Sequence, residues 1–139
     1  MVVTVAACGR ESADPRALPG SNPDTTLDEI VAEKKISLPR CENAEVRYLD
    51  TNHEWAGRVL IMMRVPGTCL DETLRGVGYH DTESVRKTSY LDHLFEDEFG
   101  VKRTPPRSRE TFLPDDAGCA QVIFDRTAEP AEVFVMCGW

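Results

Sequence analysis

Ala120-Gln121-Val122-Ile123-Phe124-Asp125 and Ala131-Glu132-Val133-Phe134-Val135-Met136 are the two runs that decide how this chain folds. Both are rich in β-branched and aromatic residues, and Arg126-Thr127-Ala128-Glu129-Pro130 between them has the composition of a turn, so they read as the strands of a hairpin. Centring the hairpin on Ala128 sets Val122 opposite Phe134 and Ala120 opposite Met136. Cys119 then falls across from Cys137 just beyond the paired residues, which predicts a Cys119–Cys137 bridge.

Upstream, residues 44–50 and 58–65 read as a second strand pair, joined by Thr51-Asn52-His53-Glu54-Trp55-Ala56-Gly57. The unbroken apolar run Val59-Leu60-Ile61-Met62-Met63 suits a central strand covered on both faces. Matching Val46 and Tyr48 to Val59, Ile61 and Met63 leaves Cys41 and Cys69 one position out of direct opposition, a gap that a bulge or flexible flank closes. Three helices carry matching start signals. Thr26 with Glu29 opens residues 27–35, acids early and lysines late as the macrodipole favours. Thr68 with Asp71 opens residues 69–75, with Gly76 as a left-handed stop. Ser89 with Asp92 opens residues 90–99, where Leu91, Leu94, Phe95 and Phe99 form one apolar stripe before Gly100. Residues 102–116 read as a long Pro-containing loop. The order helix, strand, strand, helix, helix, strand, strand predicts an α+β fold, an antiparallel four-stranded sheet with helices packed on it as a two-layer sandwich.

The 139 residues, 41% of them hydrophobic and 29% charged, suit one globular domain. The apolar run at 59–63 is far below the ~20 residues of a membrane-crossing helix. A formal charge of −8 disfavours nucleic acid as a partner and any general attraction to anionic lipid.

Met1-Val2-Val3-Thr4-Val5-Ala6-Ala7-Cys8 is apolar except for Thr4, and residues 9–26 then turn rich in Gly, Pro, Ser, Asp and Arg, too poor in apolar surface to offset the entropy of ordering. Val5-Ala6-Ala7-Cys8 resembles the lipobox of bacterial lipoproteins, in which the signal peptide is cut before a cysteine that is then lipidated. The resemblance spans about four residues. No basic segment precedes the apolar stretch, which is shorter than the usual signal core, as a start codon placed too far downstream would produce. The resemblance implies that residues 1–8 are the remnant of a signal peptide and that Cys8 carries acyl chains. Residues 9–26 are then a disordered tether and residues 27–139 a single domain outside the cytoplasm. The excess of arginine over lysine and the proline content are similar to proteins of GC-rich actinobacteria.

Five cysteines are present; with Cys8 given to lipid, Cys41, Cys69, Cys119 and Cys137 form an even set. No C-x-x-C spacing occurs, so structural disulfides in an oxidising compartment are favoured over zinc or thioredoxin-type chemistry, and no cofactor is implied. Four cysteines allow three connectivities, of which Cys119–Cys137 with Cys41–Cys69 is preferred.

Candidate chemistry is sparse. His93 and Glu96 are three apart on the third helix, with His80 and Asp81 upstream, but two ligands make no metal site and an acidic, solvated helix face is the simpler reading. Adjacent acids such as Asp115 and Asp116, or Asp97 and Glu98, do not normally converge on one substrate. No nucleophile elbow, Walker loop or dinucleotide fingerprint occurs. The one basic cluster contains Lys102, Arg103, Arg107 and Arg109, and either meets an anionic surface or neutralises the neighbouring acidic helix. Trp55, in the loop of the first hairpin, is a candidate recognition residue, whereas Trp139 fits packing against the last strand. The expectation is a binding or interaction domain anchored by lipid to the outer face of the cell membrane, with an envelope or extracellular partner. The alternatives are a small envelope hydrolase using His93 and Glu96, and a secreted or periplasmic protein that inhibits a partner.

Overall fold

The computed structural model describes residues 12–51, 57–80, 85–88, 91–101, 109–114 and 118–138. In chain order the elements are α1 (Leu27–Lys34), β1 (Glu45–Asp50), β2 (Arg58–Val65), a 3₁₀ turn (Gly67–Cys69), α2 (Leu70–Gly76), β3 (Arg86–Thr88), α3 (His93–Phe99), β4 (Arg109–Phe112), β5 (Gln121–Asp125) and β6 (Ala131–Gly138). The strands form one antiparallel sheet in the order β1-β2-β6-β5-β4-β3. The class is therefore α+β, but the sheet has six strands, not four. The two extra strands are polar: β3 is Arg86-Lys87-Thr88, and β4, Arg109-Glu110-Thr111-Phe112, lies inside the stretch expected to be loop. Ladder hydrogen bonding to a neighbouring strand holds β3, and β4 adds one buried apolar side chain, Phe112, to that pairing.

β2 and β6 are the centre. They pair over eight positions, from Arg58↔Gly138 to Val65↔Ala131. Val59 through Met63 are all buried, as a strand covered on both faces requires. Strand parity then sorts the core. Val59, Ile61 and Met63 face the side that carries α1 and α2, together with Val122, Phe124, Val133 and Val135. Leu60, Met62, Ile123 and Phe134 face the other side, where Leu91, Phe95 and Phe99 cover them. Phe95 meets Phe134 edge-on at 5.3 Å between ring centroids. Helices thus lie on both faces, which corrects the two-layer expectation.

The β1–β2 register is Val46↔Met63 and Tyr48↔Ile61. It leaves Cys41 and Cys69 offset as expected, and they are bonded across a Cα separation of 6.4 Å through the flank before β1 and the 3₁₀ turn after β2. Asn43 in that flank has a left-handed φ of 62°. Cys119 and Cys137 are also bonded. The hairpin, however, pairs Val122 with Val135 and Gln121 with Met136, one step from the expected register. β5 starts only at Gln121, so Cys119 reaches Cys137 from outside the ladder. That end is also held to α1, whose Lys34 donates from Nζ to the Gly138 carbonyl and accepts at its backbone oxygen from Gly118 N at 2.8 Å.

Thr26 caps α1 as expected, accepting at Oγ1 from Glu29 N at 3.3 Å, while its hydroxyl donates to Glu29 Oε1 at 3.2 Å. Two other helix signals resolve differently. α3 starts at His93 with Asp92 as its cap, the carboxylate accepting from Leu94 N at 2.9 Å, so Asp92 rather than Ser89 marks the start. Gly76 lies inside α2 and the positive φ belongs to Gly78. Gly76 serves close approach instead: its carbonyl accepts from Ser37 N at 2.7 Å, and a Cβ there would come within 2.6 Å of the Ser37 oxygen.

Residues 12–26, which the sequence reading gave to a disordered tether, are laid against the outer edge of β1. Leu18 N donates to Tyr48 O at 2.8 Å, Tyr48 N to Arg16 O at 3.1 Å and Asn22 N to Asp50 O at 2.7 Å. Ser21 Oγ accepts from Asp50 N at 3.0 Å. Buried Asp14 ties this strap to α1. Its carboxylate accepts from Leu27 N at 2.9 Å and from Arg16 Nε and Nη2, each at 2.9 Å. Backbone pairing and one satisfied carboxylate thus do what apolar burial cannot do in so polar a segment.

Two outcomes follow from these contacts. The Arg16 hydrogen bonds, outweighing the opposing effect of burial, and the amides of Leu27 and Arg16 hold Asp14 at a pKa of about 2 against an ordinary 3.8. Ionised Asp14 contributes its full stabilisation above the ordinary value and loses it as pH falls through about 2. Urea unfolding between pH 5 and 2 should lose about 1–2 kcal/mol from this group, and Asp14→Asn should remove that part of the slope. For the disulfides, chain entropy assigns roughly 3–4 kcal/mol to each closed loop. Cys119→Ala with Cys137→Ala, and separately Cys41→Ala with Cys69→Ala, should each lower Tm by more than about 6 °C by calorimetry.

Candidate functional site

Among the described residues, a hollow lies on each side of the sheet. The first exists because α3 is only seven residues long and covers β2, β5 and β6 without reaching over β1. The directly paired Leu49 and Leu60 form its floor and Leu94 its wall, while Thr51, Arg58, His93 and Glu98 stand around the rim. Its volume is about 320 Å³, at the small end of the range that ordinary ligand clefts occupy. Apolar floor and mixed-charge rim suit a small amphiphilic molecule. His93 is 60% exposed, with Nδ1 3.5 Å from the capping Asp92 carboxylate. Glu96 is not among the described residues that line this groove; Glu98, one turn beyond Leu94, is.

The second hollow, a notch of about 120 Å³, lies between the end of α2 and the β5–β6 turn, lined by Asp71, Leu74, Arg75, Tyr79 and Arg126. Sheet register builds its base. Lys87, Glu110 and Phe124 are aligned across β3, β4 and β5, so their side chains share one face. Arg126 folds back over this row, its guanidinium 5.3 Å above the Phe124 ring and its Nε paired with Glu110. Lys87 approaches the same carboxylate at 3.7 Å. Tyr79 packs edge-on against Phe112 at 5.3 Å.

The residues singled out from sequence are dispersed. Arg109, expected in an exposed basic cluster, is the first residue of β4, paired with Asp125 and Thr88, and is only 9% exposed. Placement in a ladder rather than a loop removes it from any docking surface. Lys102, Arg103, Arg107, Trp55, Cys8, Asp81 and Trp139 lie outside the described residues. Among the described residues no group of three or more His, Cys, Asp or Glu side chains is arranged to hold a metal ion. The notch is not legible in the sequence because its arginines come from a helix end and a turn that only tertiary folding brings together.

No family model, curated protein or solved structure matches the chain.

Because His93 stands in solvent, His93→Ala should change unfolding free energy by less than about 0.5 kcal/mol in urea titration.

Proposed function

We propose that this protein is a binding domain outside the cytoplasm, anchored to the cell membrane by acyl chains on Cys8, with the groove beside α3 as its ligand surface. The observation that carries this reading is the pairing of Cys41 with Cys69 and of Cys119 with Cys137, because bridges of this kind persist in oxidising compartments. Of the five cysteines, Cys8 alone is left over, and it follows the lipobox-like Val5-Ala6-Ala7. Burial of several acyl chains, at about 0.8 kcal/mol per CH₂, anchors firmly without help from surface charge, which suits a chain of net charge −8.

The strap adds a geometric consequence. Ser12 Oγ sits 3.4 Å from the Tyr48 hydroxyl on the folded body, and Cys8 is four residues upstream. At no more than about 3.6 Å per residue, the acylated residue lies within about 15 Å of Ser12. The domain is thereby held close to the bilayer instead of at the end of a long stalk.

Non-reducing peptide mapping of protein taken from its own cell envelope tests the proposal. The expected map contains a diacylglyceryl-modified Cys8 and the two linked cysteine pairs, and Cys8→Ser should move the protein from the detergent phase to the aqueous phase. A free thiol at Cys8 on an unprocessed chain would overturn it.

A further inference from the structure

We infer that the notch between α2 and the β5–β6 turn binds the phosphate group of an anionic ligand, a site distinct from the groove beside α3. Three residues that carry hydrogen-bond donors border it: Arg75, Arg126 and Tyr79. Two of the three are fixed before any ligand arrives. Arg126 is held between Glu110 at its Nε and the Phe124 ring beneath it, and Tyr79 is held by Phe112. Pairing through Nε engages one of the five N–H donors of a guanidinium, so the ion pair orients Arg126 without exhausting it. Preorganised donors lose little entropy on binding, and arginine forks match the geometry of phosphate oxygens.

Local charge favours an anion although the chain as a whole is acidic. Asp71 is the only carboxylate among the described lining residues, set against two arginines, and the charge of Glu110 is shared between Arg126 and Lys87. A volume of about 120 Å³ admits a tetrahedral oxyanion and is well below the roughly 300 Å³ of an ordinary small-molecule cleft. The notch therefore takes the phosphate group and leaves the rest of the ligand, a soluble ester or a phospholipid headgroup, outside.

The test is an NMR titration of the disulfide-intact chain with inorganic phosphate at pH 7 and constant ionic strength, following the Nε–Hε resonances of Arg75 and Arg126. Saturable shifts at both, with an apparent Kd in the millimolar range, are expected. Arg75→Gln, which leaves the Arg126–Glu110 pair in place, should weaken binding about fivefold. Shifts that rise without saturation, an equal response to chloride, or an unchanged Kd in Arg75→Gln would each overturn the inference. Sedimentation with phosphatidylglycerol and phosphatidylcholine vesicles, using protein with Cys8→Ser, then separates the sources. Arg75-dependent pelleting with the anionic lipid assigns a headgroup, and saturable phosphate binding without pelleting assigns a soluble ester.

Discussion

The pairing of β2 with β6 is the constraint on which everything else in this molecule rests. Eight consecutive residue pairs, eleven of whose sixteen residues are buried, resist a slip, because a shift of one residue would carry the inward side chains of one strand to the opposite face. Once this ladder is set, parity assigns Ile61, Met63, Val133 and Val135 to one core, and Leu60, Met62 and Phe134 to the other. α1 and α2 can then seal only the first face and α3 only the second. The disulfides act on the same frame. Cys137 is buried on β6 opposite Val59, so its bridge fixes the segment before β5 to a central strand, while Cys41–Cys69 ties the flank before β1 to the 3₁₀ turn after β2.

How much of this could be read from residues alone depended on where the stabilising contacts lie. β1, β2, β5 and β6 announce themselves because their side chains carry the burial, and the offset of Cys41 from Cys69 follows from the β1–β2 register by simple counting. The hairpin register was missed by one step because Cys119 and Ala120 lie outside the ladder, something composition does not encode. β3 and β4 are invisible for a different reason: Arg86, Lys87, Arg109 and Glu110 are ordered by main-chain pairing to a neighbour, and their side chains look like those of a solvated loop. The stretch from residue 12 to 26 fails the hydrophobic test in the same way. It is retained by amide-to-carbonyl bonds along Tyr48 and Asp50 and by the Asp14 carboxylate, which are local only after folding.

The candidate sites follow the same division. The groove beside α3 results from a mismatch of lengths, a two-turn helix on a wide sheet, and its His93 was visible as a residue but not as part of a hollow. The arginine notch is a product of cross-strand alignment, in which a buried carboxylate on β4 becomes the brace for a guanidinium from the next turn. In both, rigid elements supply the walls while the recognising groups stand at element ends, where side chains escape close packing.

The strap on β1 has one more consequence. A sheet that ends in an open strand offers its main-chain groups to any other extended chain, and here the N-terminal residues occupy that offer from within the same polypeptide. Proteolytic shortening through residue 22 would therefore not be a silent trimming. It would leave the amide and carbonyl groups of Tyr48 and Asp50 as a template for a second molecule, turning an occupied edge into one able to grow.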